Sequence, residues 1–233
     1  MAVDQTILES TMATGQTTLR FYRWNTPTLS LGYFQKAADR SLHPASEDCP
    51  MIRRASGGGA IVHDDELTYS ICVATEGRIA KANTGLYDIV HDAIRKSLAE
   101  QGIEVELFEA DGDSRAKASA SDPFLCFQRR AVGDIICDGA KVGGSAQRRL
   151  KNALIQHGSI LFSQSSFAPE LQGLKELSGI KVDEDQLIEG IKGLLAEALR
   201  VEWGAGELSG DEQTRAEEIE AEKFGNVDWL NKR

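Results

Sequence analysis

The sequence predicts an α/β fold of the α+β kind, in which a mixed or antiparallel β-sheet is flanked by helices. Short strand-like segments dominate residues 18–162, and they follow one another without the strand–helix alternation of a doubly wound parallel sheet. Two segments, 84–101 and 184–199, repeat apolar residues at helical spacing. We therefore expect one main sheet with these two helices packed against it.

Eight segments are predicted to be strands, because β-branched and aromatic residues are concentrated in them and turn-forming residues separate them. They are residues 18–24, 28–34, 51–54, 60–63, 67–74, 130–137, 140–148 and 153–162. The small and polar segment 111–123 is predicted to be an exposed loop. Asp183, with Gln186 three residues later, is expected to cap the second long helix, and the charged tail 209–223 is expected to form a solvated helix.

Composition and charge exclude several classes of protein. The 233 residues contain no run of about 18 apolar residues, so no transmembrane helix and no membrane partner are expected. The formal net charge of −10 argues against a nucleic-acid partner. The N-terminus lacks the basic start and apolar core of a signal peptide, and the four cysteines form no CxxC pair. We expect a cytoplasmic enzyme with reduced thiols and no metal site.

The strongest local signal is the segment RRASGGGAIVHDDELTYS at residues 53–70. Three consecutive glycines allow backbone amides to approach a ligand closely, and Arg53 and Arg54 could hold a carboxylate or phosphate. A plain strand–turn–strand with a glycine-rich hairpin explains the glycines equally well.

A second signal lies in GAKVGGSAQRR, residues 139–149, followed by QHGSIL at 156–161. Lys141 stands alone as a cation in a mostly apolar strand and could stabilise negative charge developing on a carbonyl oxygen. An exposed strand lysine is the commoner alternative. His157 is either a polar lining residue or a hydrogen-bonded structural histidine.

These blocks, in this order, resemble the lipoate–protein ligase A and octanoyltransferase branch of the biotin/lipoate protein ligase superfamily. The opening M-A-x-D, RFYRW and the PTLSLGYFQ segment at 27–35 extend the likeness over about residues 1–165. The resemblance implies a fold similar to class II tRNA synthetases and biotin protein ligases. It also implies a single catalytic domain over 1–233, with a core of about 1–165 and a C-terminal helical extension, 166–233.

The resemblance also implies the site. The lysine that holds the acyl carbonyl falls on Lys141, and the glycine-rich turn lines the acyl pocket. The pocket residues implied in this way are Arg54, Ser56, Gly57, Gly58, Gly59, His63, Gly143, Gly144, Ser145 and Ala146, with His157 as a further candidate.

The likeness to cysteine-dependent octanoyltransferases places the acyl-accepting thiol at Cys126, in PFLCFQ. Such an enzyme moves an octanoyl or lipoyl group from acyl carrier protein to a lysine of a lipoyl domain or of the glycine-cleavage H protein, and it needs no cofactor because thioester to amide is downhill. The residues alone leave another interpretation, since Leu125 and Phe127 flank Cys126 as they would an inert core thiol.

Two other functions stay open. An ATP-dependent lipoate–protein ligase would activate free lipoate or octanoate as the adenylate with ATP and Mg²⁺, and the S-G-G-G-A form of the glycine block favours it. A non-catalytic subunit that binds an acyl group or carrier protein is the third. We expect a monomer on which acidic carriers dock at the basic clusters around Arg53 and Arg148.

Overall fold

The computed structural model describes residues 1–75, 85–109 and 123–232. Within these ranges nine strands form two sheets. The strands are β1 (Thr18–Tyr22), β2 (Thr28–Leu31), β3 (Met51–Arg53), β4 (Ile61–His63), β5 (Glu66–Ala74), β6 (Glu106–Leu107), β7 (Ile135–Cys137), β8 (Ala140–Leu150) and β9 (Ala153–Leu161). The large sheet is antiparallel throughout, in the order β1-β5-β9-β8-β7-β6. The small sheet, β3-β2-β4, pairs β2 with β3 in parallel and with β4 antiparallel.

Helices cover both faces of the large sheet. They are α1 (Ala2–Thr14), α2 (Gly85–Ala99), α3 (Leu174–Ser178), α4 (Glu184–Leu199), α5 (Gly210–Ile219) and α6 (Val227–Leu230). Helices α2 and α4 pack together over one face and share the main apolar core with it. Helix α1, backed by α5, lies against β5 and β9 on the other face. The predicted fold class, a mixed β-sheet structure flanked by helices, is confirmed.

Alternation along β5 separates the core from the functional face. Leu67, Tyr69 and Ile71 point into the core under α2 and α4, so the intervening residues must point to the opposite face. The strand register places three residue pairs side by side on that opposite face: Thr68 with Ser159, Ser70 with His157, and Cys72 with Ile155. The apolar pair lies under α1, and Ser70 donates a hydrogen bond to Asp4 of that helix. Thr68, Ser159 and His157 continue beyond α1 as a polar strip that lines a cleft.

Several sequence expectations are corrected. The segments predicted at 18–24 and 28–34 do not pair with each other, because β1 joins the large sheet and β2 the small one. The strand predicted at 130–137 begins only at Ile135. Helix α1 was not predicted. Three of its buried residues, Asp4, Thr6 and Thr11, are polar, so its buried face does not show the apolar periodicity of a helix.

The C-terminal predictions are mixed. Asp183 caps α4 as predicted, with its carboxylate accepting the Gln186 backbone N–H at 3.0 Å. The charged tail is helical but not wholly solvated, since Ala216 and Ile219 are buried and α5 packs on α1. The loop predicted at 111–123 lies, apart from its last residue, outside the described residues. No helix in the described ranges is both long and apolar enough to cross a bilayer.

Candidate active site

A cleft of about 570 Å³ opens between the glycine-rich turn and the polar strip of the large sheet. Its volume is in the range typical of small-molecule sites in proteins. Cys126 and the turn line one side, which we call the thiol side. Lys141 and the neighbouring part of β8 line the other, which we call the ammonium side.

Arg54 supports the thiol side through hydrogen bonds to the backbone of the glycine-rich turn. Its guanidinium is buried and donates hydrogen bonds to the carbonyls of Ser30 (2.8 Å), Gly57 (2.9 Å) and Gly59 (2.6 Å). The pKa of Arg54 is lowered from its ordinary value because burial penalises the charged form, and the nearby Cys126 opposes that shift. Arg54 therefore holds the turn in shape and also brings a positive charge close to the cysteine.

The turn and the Cys126 segment touch through backbone atoms. The Cys126 N–H donates to the Ala60 carbonyl at 2.7 Å, and the Ala60 N–H donates to the Phe124 carbonyl at 2.9 Å. A Cβ on Gly59 would lie only 2.8 Å from the Cys126 nitrogen, so only glycine permits this approach. Cys126 begins a short 3₁₀ turn whose first residue opens into the cleft.

Cys126 differs from the other cysteines in its surroundings. All four cysteines are unpaired thiols, but three of them, Cys49, Cys72 and Cys137, are buried, and burial raises the pKa of each. Cys126 is partly exposed, and among the four it alone lines the cleft. The interpretation of Cys126 as an inert core thiol does not fit this exposure.

The ammonium side is built on an ion pair. Lys141 Nζ lies 2.7 Å from Asp134 Oδ2, and both side chains are buried. Asp134 also accepts the Ala131 backbone N–H at 2.7 Å and the Tyr87 hydroxyl at 3.1 Å. A Cβ on Gly144 would lie 2.7 Å from Lys141 Cε, so this glycine leaves the space that the lysine occupies. The alternative of an exposed strand lysine is excluded, because Lys141 is buried.

Sequence reasoning missed Asp134, although a local signal for it existed. Asp138-Gly139 joins β7 to β8, and both residues have positive φ, 44° and 73°, as a two-residue type I′ hairpin turn requires. That turn sets Ile136 opposite Lys141. Asp134, just before β7, therefore lies close to Lys141. The Asp138-Gly139 pair predicts this hairpin turn, so the sequence could have indicated that Asp134 and Lys141 are neighbours.

Two histidines line the cleft with different partners. His63, at the end of β4, stacks on Trp24 with ring centroids 4.2 Å apart, and its Nδ1 lies 2.6 Å from Glu66 Oε1. His157 Nε2 lies 2.7 Å from Ser56 Oγ. Burial lowers the pKa of His157 to about 4. Trp24 and Glu66 lie in segments that carry the family likeness, RFYRW and residues 53–70, but sequence reasoning assigned neither residue a role in the site.

The predicted pocket residues do not all reach the cleft. Those that line it are Arg54, Gly57, Gly58, Gly59, His63, Cys126, Lys141, Gly144, Ser145, Ala146 and His157. Ser56 is buried and does not line the cleft. It acts on the cleft only indirectly, through its hydrogen bond with His157. Gly143 faces away, since a Cβ there would meet Ile135 at 2.9 Å. Its role as a pocket residue is therefore a wrong prediction.

Arg53 is also corrected. Its side chain is fully buried and donates to the carbonyls of Gly32, Gln35 and Leu230, among others. A guanidinium whose donors are taken up by backbone oxygens inside the protein cannot offer a docking surface for an acidic partner. Arg53 instead fastens α6 to the loop after β2. Arg148 is partly exposed and Arg149 is exposed, so docking at that cluster stays a prediction.

Metal-binding groups are not assembled in the described part of the chain. No cluster of three or more His, Cys, Asp or Glu side chains there is arranged to hold a metal ion.

Comparison with known proteins supports the same family as the motifs. The family model described as the lipoyl protein ligase A/B catalytic domain matches residues 1–194. Octanoyltransferase LipM of Clostridioides difficile is 33% identical over 260 residues, covering 100% of this chain and 94% of that protein. Its counterpart in Moorella thermoacetica is 31% identical over 258 residues, covering 100% and 93%.

Solved structures share the fold. A lipoate-protein ligase A bound with ATP matches with a TM-score of 0.76 at 21% identity, covering 98% of this chain and 91% of that one. A bi-partite lipoate protein ligase of Thermoplasma acidophilum matches with a TM-score of 0.73 at 20% identity, covering 98% and 89%. The chain belongs to the lipoyl protein ligase A/B catalytic-domain family.

Proposed function

We propose that this chain is an acyltransferase that transfers an octanoyl group to a lysine of a lipoyl domain in protein lipoylation, through a thioester on Cys126. Its relatives named octanoyltransferase LipM match over essentially the whole chain. The observation that carries the thioester route is that one cleft holds both a partly exposed thiol, Cys126, and the buried ammonium of Lys141.

The first half-reaction loads the enzyme. The Cys126 thiolate attacks the carbonyl of an octanoyl thioester on acyl carrier protein, and the carrier's own thiolate leaves. Because one thioester replaces another, the step is nearly isoenergetic and needs no ATP. The guanidinium of Arg54 supplies positive charge near the sulfur that attacks.

Lys141 stabilises the developing oxyanion. An ammonium group has three donors, and Asp134 takes one of them. The remaining donors can bind the acyl oxygen as it gains negative charge, in a site where burial strengthens the interaction. Phe127, Ile61 and Trp24 give the cleft an apolar lining for the alkyl chain, worth about 0.8 kcal/mol for each methylene that is buried.

The acyl donor decides between this route and an ATP-dependent ligase. The chain should be incubated with octanoyl-acyl carrier protein without ATP, and separately with free octanoate or lipoate plus ATP and Mg²⁺. We expect an octanoyl mass on Cys126 in the first incubation, transfer to a lipoyl domain or H protein, and no adduct with Cys126→Ala. ATP-dependent acylation by Cys126→Ala, without any adduct on the unaltered chain, would assign the protein to the ligases.

We also propose that residues 1–233 act as one catalytic domain. Helix α5 packs on α1, and Arg53 binds the backbone carbonyls of Trp229 and Leu230. The C-terminal segment is thereby fastened to α1 and to β3, which both belong to the region that carries the motifs.

A further inference from the structure

His63 presents one ring nitrogen to the cleft and holds the other against a carboxylate. Its Nδ1 lies 2.6 Å from Glu66 Oε1, and since a carboxylate only accepts hydrogen bonds, Nδ1 carries the proton. Nε2 then has its lone pair available. It makes no hydrogen bond with any residue in the described ranges, and the side chain lines the cleft. Stacking on Trp24 fixes the plane of the ring.

Glu66 is placed to stabilise a positive charge on that ring. The carboxylate is buried, and its three donors, from His63, Thr68 (2.6 Å) and Ser159 (2.8 Å), all reach Oε1. Oε2 has no hydrogen-bond partner within the described part of the chain. No lysine or arginine among the described residues is bonded to this carboxylate. A proton accepted by His63 would therefore give the Glu66 carboxylate a positively charged partner. A buried carboxylate behind a histidine serves general bases in this way.

We propose that His63 is the proton acceptor in the second half-reaction, when the acceptor lysine attacks the thioester on Cys126. This proposal rests on the proposed function. Imidazole takes and releases protons readily near neutral pH.

Two other groups of the cleft that could accept a proton, Asp134 and His157, are less suited to the step. Lys141 and Asp134 form their ion pair. His157 Nε2 is held by Ser56, and burial lowers the pKa of this histidine to about 4, which makes it a weak base. Of the two histidines that line the cleft, His63 is the one with a buried carboxylate hydrogen-bonded to the opposite ring nitrogen.

The acceptor lysine gives one proton to His63 in this step. The lysine arrives as a free amine after its ammonium has lost a proton to water. As its nitrogen attacks the thioester carbonyl, the C–N bond forms and the nitrogen gains positive charge, and His63 Nε2 takes one proton from it. The C–S bond then breaks with its electron pair on Cys126 Sγ. The imidazolium then gives its proton to water, so the amide, the Cys126 thiolate and neutral His63 remain.

The test separates loading from transfer. His63→Gln is loaded with octanoyl-acyl carrier protein, and the Cys126 adduct is measured by mass spectrometry. A lipoyl domain is then added in a single-turnover experiment. We expect loading within about twofold of the unaltered chain and transfer slowed by about 10²-fold or more. His43→Gln is the matched control, because His43 also pairs with a carboxylate, Glu170 at 2.9 Å, but lies outside the cleft.

Added imidazole distinguishes proton transfer from a structural role. The transfer rate of loaded His63→Ala should rise with imidazole concentration. The transfer rate of loaded His43→Gln should not change, because His63 is intact in that variant. The inference is overturned if loaded His63→Gln transfers at the normal rate, if it fails to load, or if imidazole leaves His63→Ala unchanged. Absence of the adduct on the unaltered chain would instead remove the proposed function.

Discussion

The two sides of the cleft reach their geometry by different routes. The ammonium side is local, since one hairpin, β7–β8, carries Asp134, Lys141 and Gly144 in a register that its Asp-Gly turn sets. The thiol side is assembled from distant segments, in which Arg54 shapes the glycine-rich turn and the backbone of that turn holds Cys126. The first side should therefore respond to changes at single side chains, and the second to changes that move backbone.

The largest effect is expected on the ammonium side. Lys141→Ala removes the donor to the oxyanion and leaves Asp134 buried without its counter-charge. We expect transfer to fall by about 10²- to 10³-fold, the usual result of losing an oxyanion donor. The rate is measured with octanoyl-acyl carrier protein, and Lys192→Ala is the control because this partly exposed lysine of α4 lies outside the cleft. Retained turnover in Lys141→Ala would mean that the acyl carbonyl binds elsewhere.

The thiol side is tested with two neighbouring glycines. Gly59→Ala puts a Cβ 2.8 Å from the Cys126 nitrogen and must displace that residue, whereas a Cβ on Gly57 meets Phe34 at an ordinary 3.6 Å. We expect loading of Cys126 to slow by about 10²-fold in Gly59→Ala, because a displacement of about 1 Å has that cost. Gly57→Ala should load almost normally. Equal loading by the two variants would contradict the backbone-held arrangement of the thiol side.

A pH effect is expected where α2 supports the ammonium side. His91 is buried, with Nδ1 2.6 Å from the Gly133 carbonyl and Nε2 2.7 Å from Ser145 Oγ. Burial lowers its pKa from 6.5 to about 4, so the unfolded chain binds the proton more readily. Stability contributed by neutral His91 is therefore complete above about pH 6.5 and is lost as the pH falls towards 4.

The size of this effect can be measured by urea unfolding. Between pH 7 and pH 5 the free energy of unfolding should fall by about 2 kcal/mol through His91 alone. His91→Gln should lack that part of the pH dependence while keeping the part due to His157, whose pKa is also lowered to about 4 by burial. A His91→Gln curve parallel to that of the unaltered chain would count against a neutral buried His91.

The smallest effect is expected at the partner of Lys141. Asp134→Asn keeps hydrogen-bonding groups near Lys141, Tyr87 and the Ala131 N–H but removes the negative charge. We expect transfer to fall about tenfold, as is typical when a supporting partner of a functional group is changed. Single-turnover rates give the comparison, with Asp138→Asn in the hairpin turn as the control. A loss as large as that of Lys141→Ala would make Asp134 more than a positioning residue.

Strand periodicity and the motif order carried most of the fold prediction. The β-branched and aromatic residues of 67–74 and 153–162 predicted two strands, and the polar faces of these strands form the floor of the cleft. The glycine block, Lys141 and Cys126 were predicted as site residues and do meet in one cleft. Glu66 and Trp24 could not be found in this way, because their importance comes from the histidine that the fold brings beside them.

Arg53 and Arg54 show where sequence reasoning ends. The two residues are adjacent, of the same type and equally basic, and both are buried. One binds carbonyls of the C-terminal segment and the other those of the glycine-rich turn. The two side chains point in opposite directions because Arg53 and Arg54 are consecutive residues of extended chain at the end of β3. Their hydrogen-bond partners come from parts of the chain that are far apart in sequence.

The sequence by itself determined most of the strands, the two long helices, the family and the residue types available for acyl transfer, because these depend on local composition, helical periodicity, turn chemistry and motif order. Tertiary structure alone decided which polar groups face the cleft, which are buried as supports, and that Glu66 lies behind His63. The physical reason is that burial and hydrogen-bond partners depend on packing between distant segments, which no local pattern records.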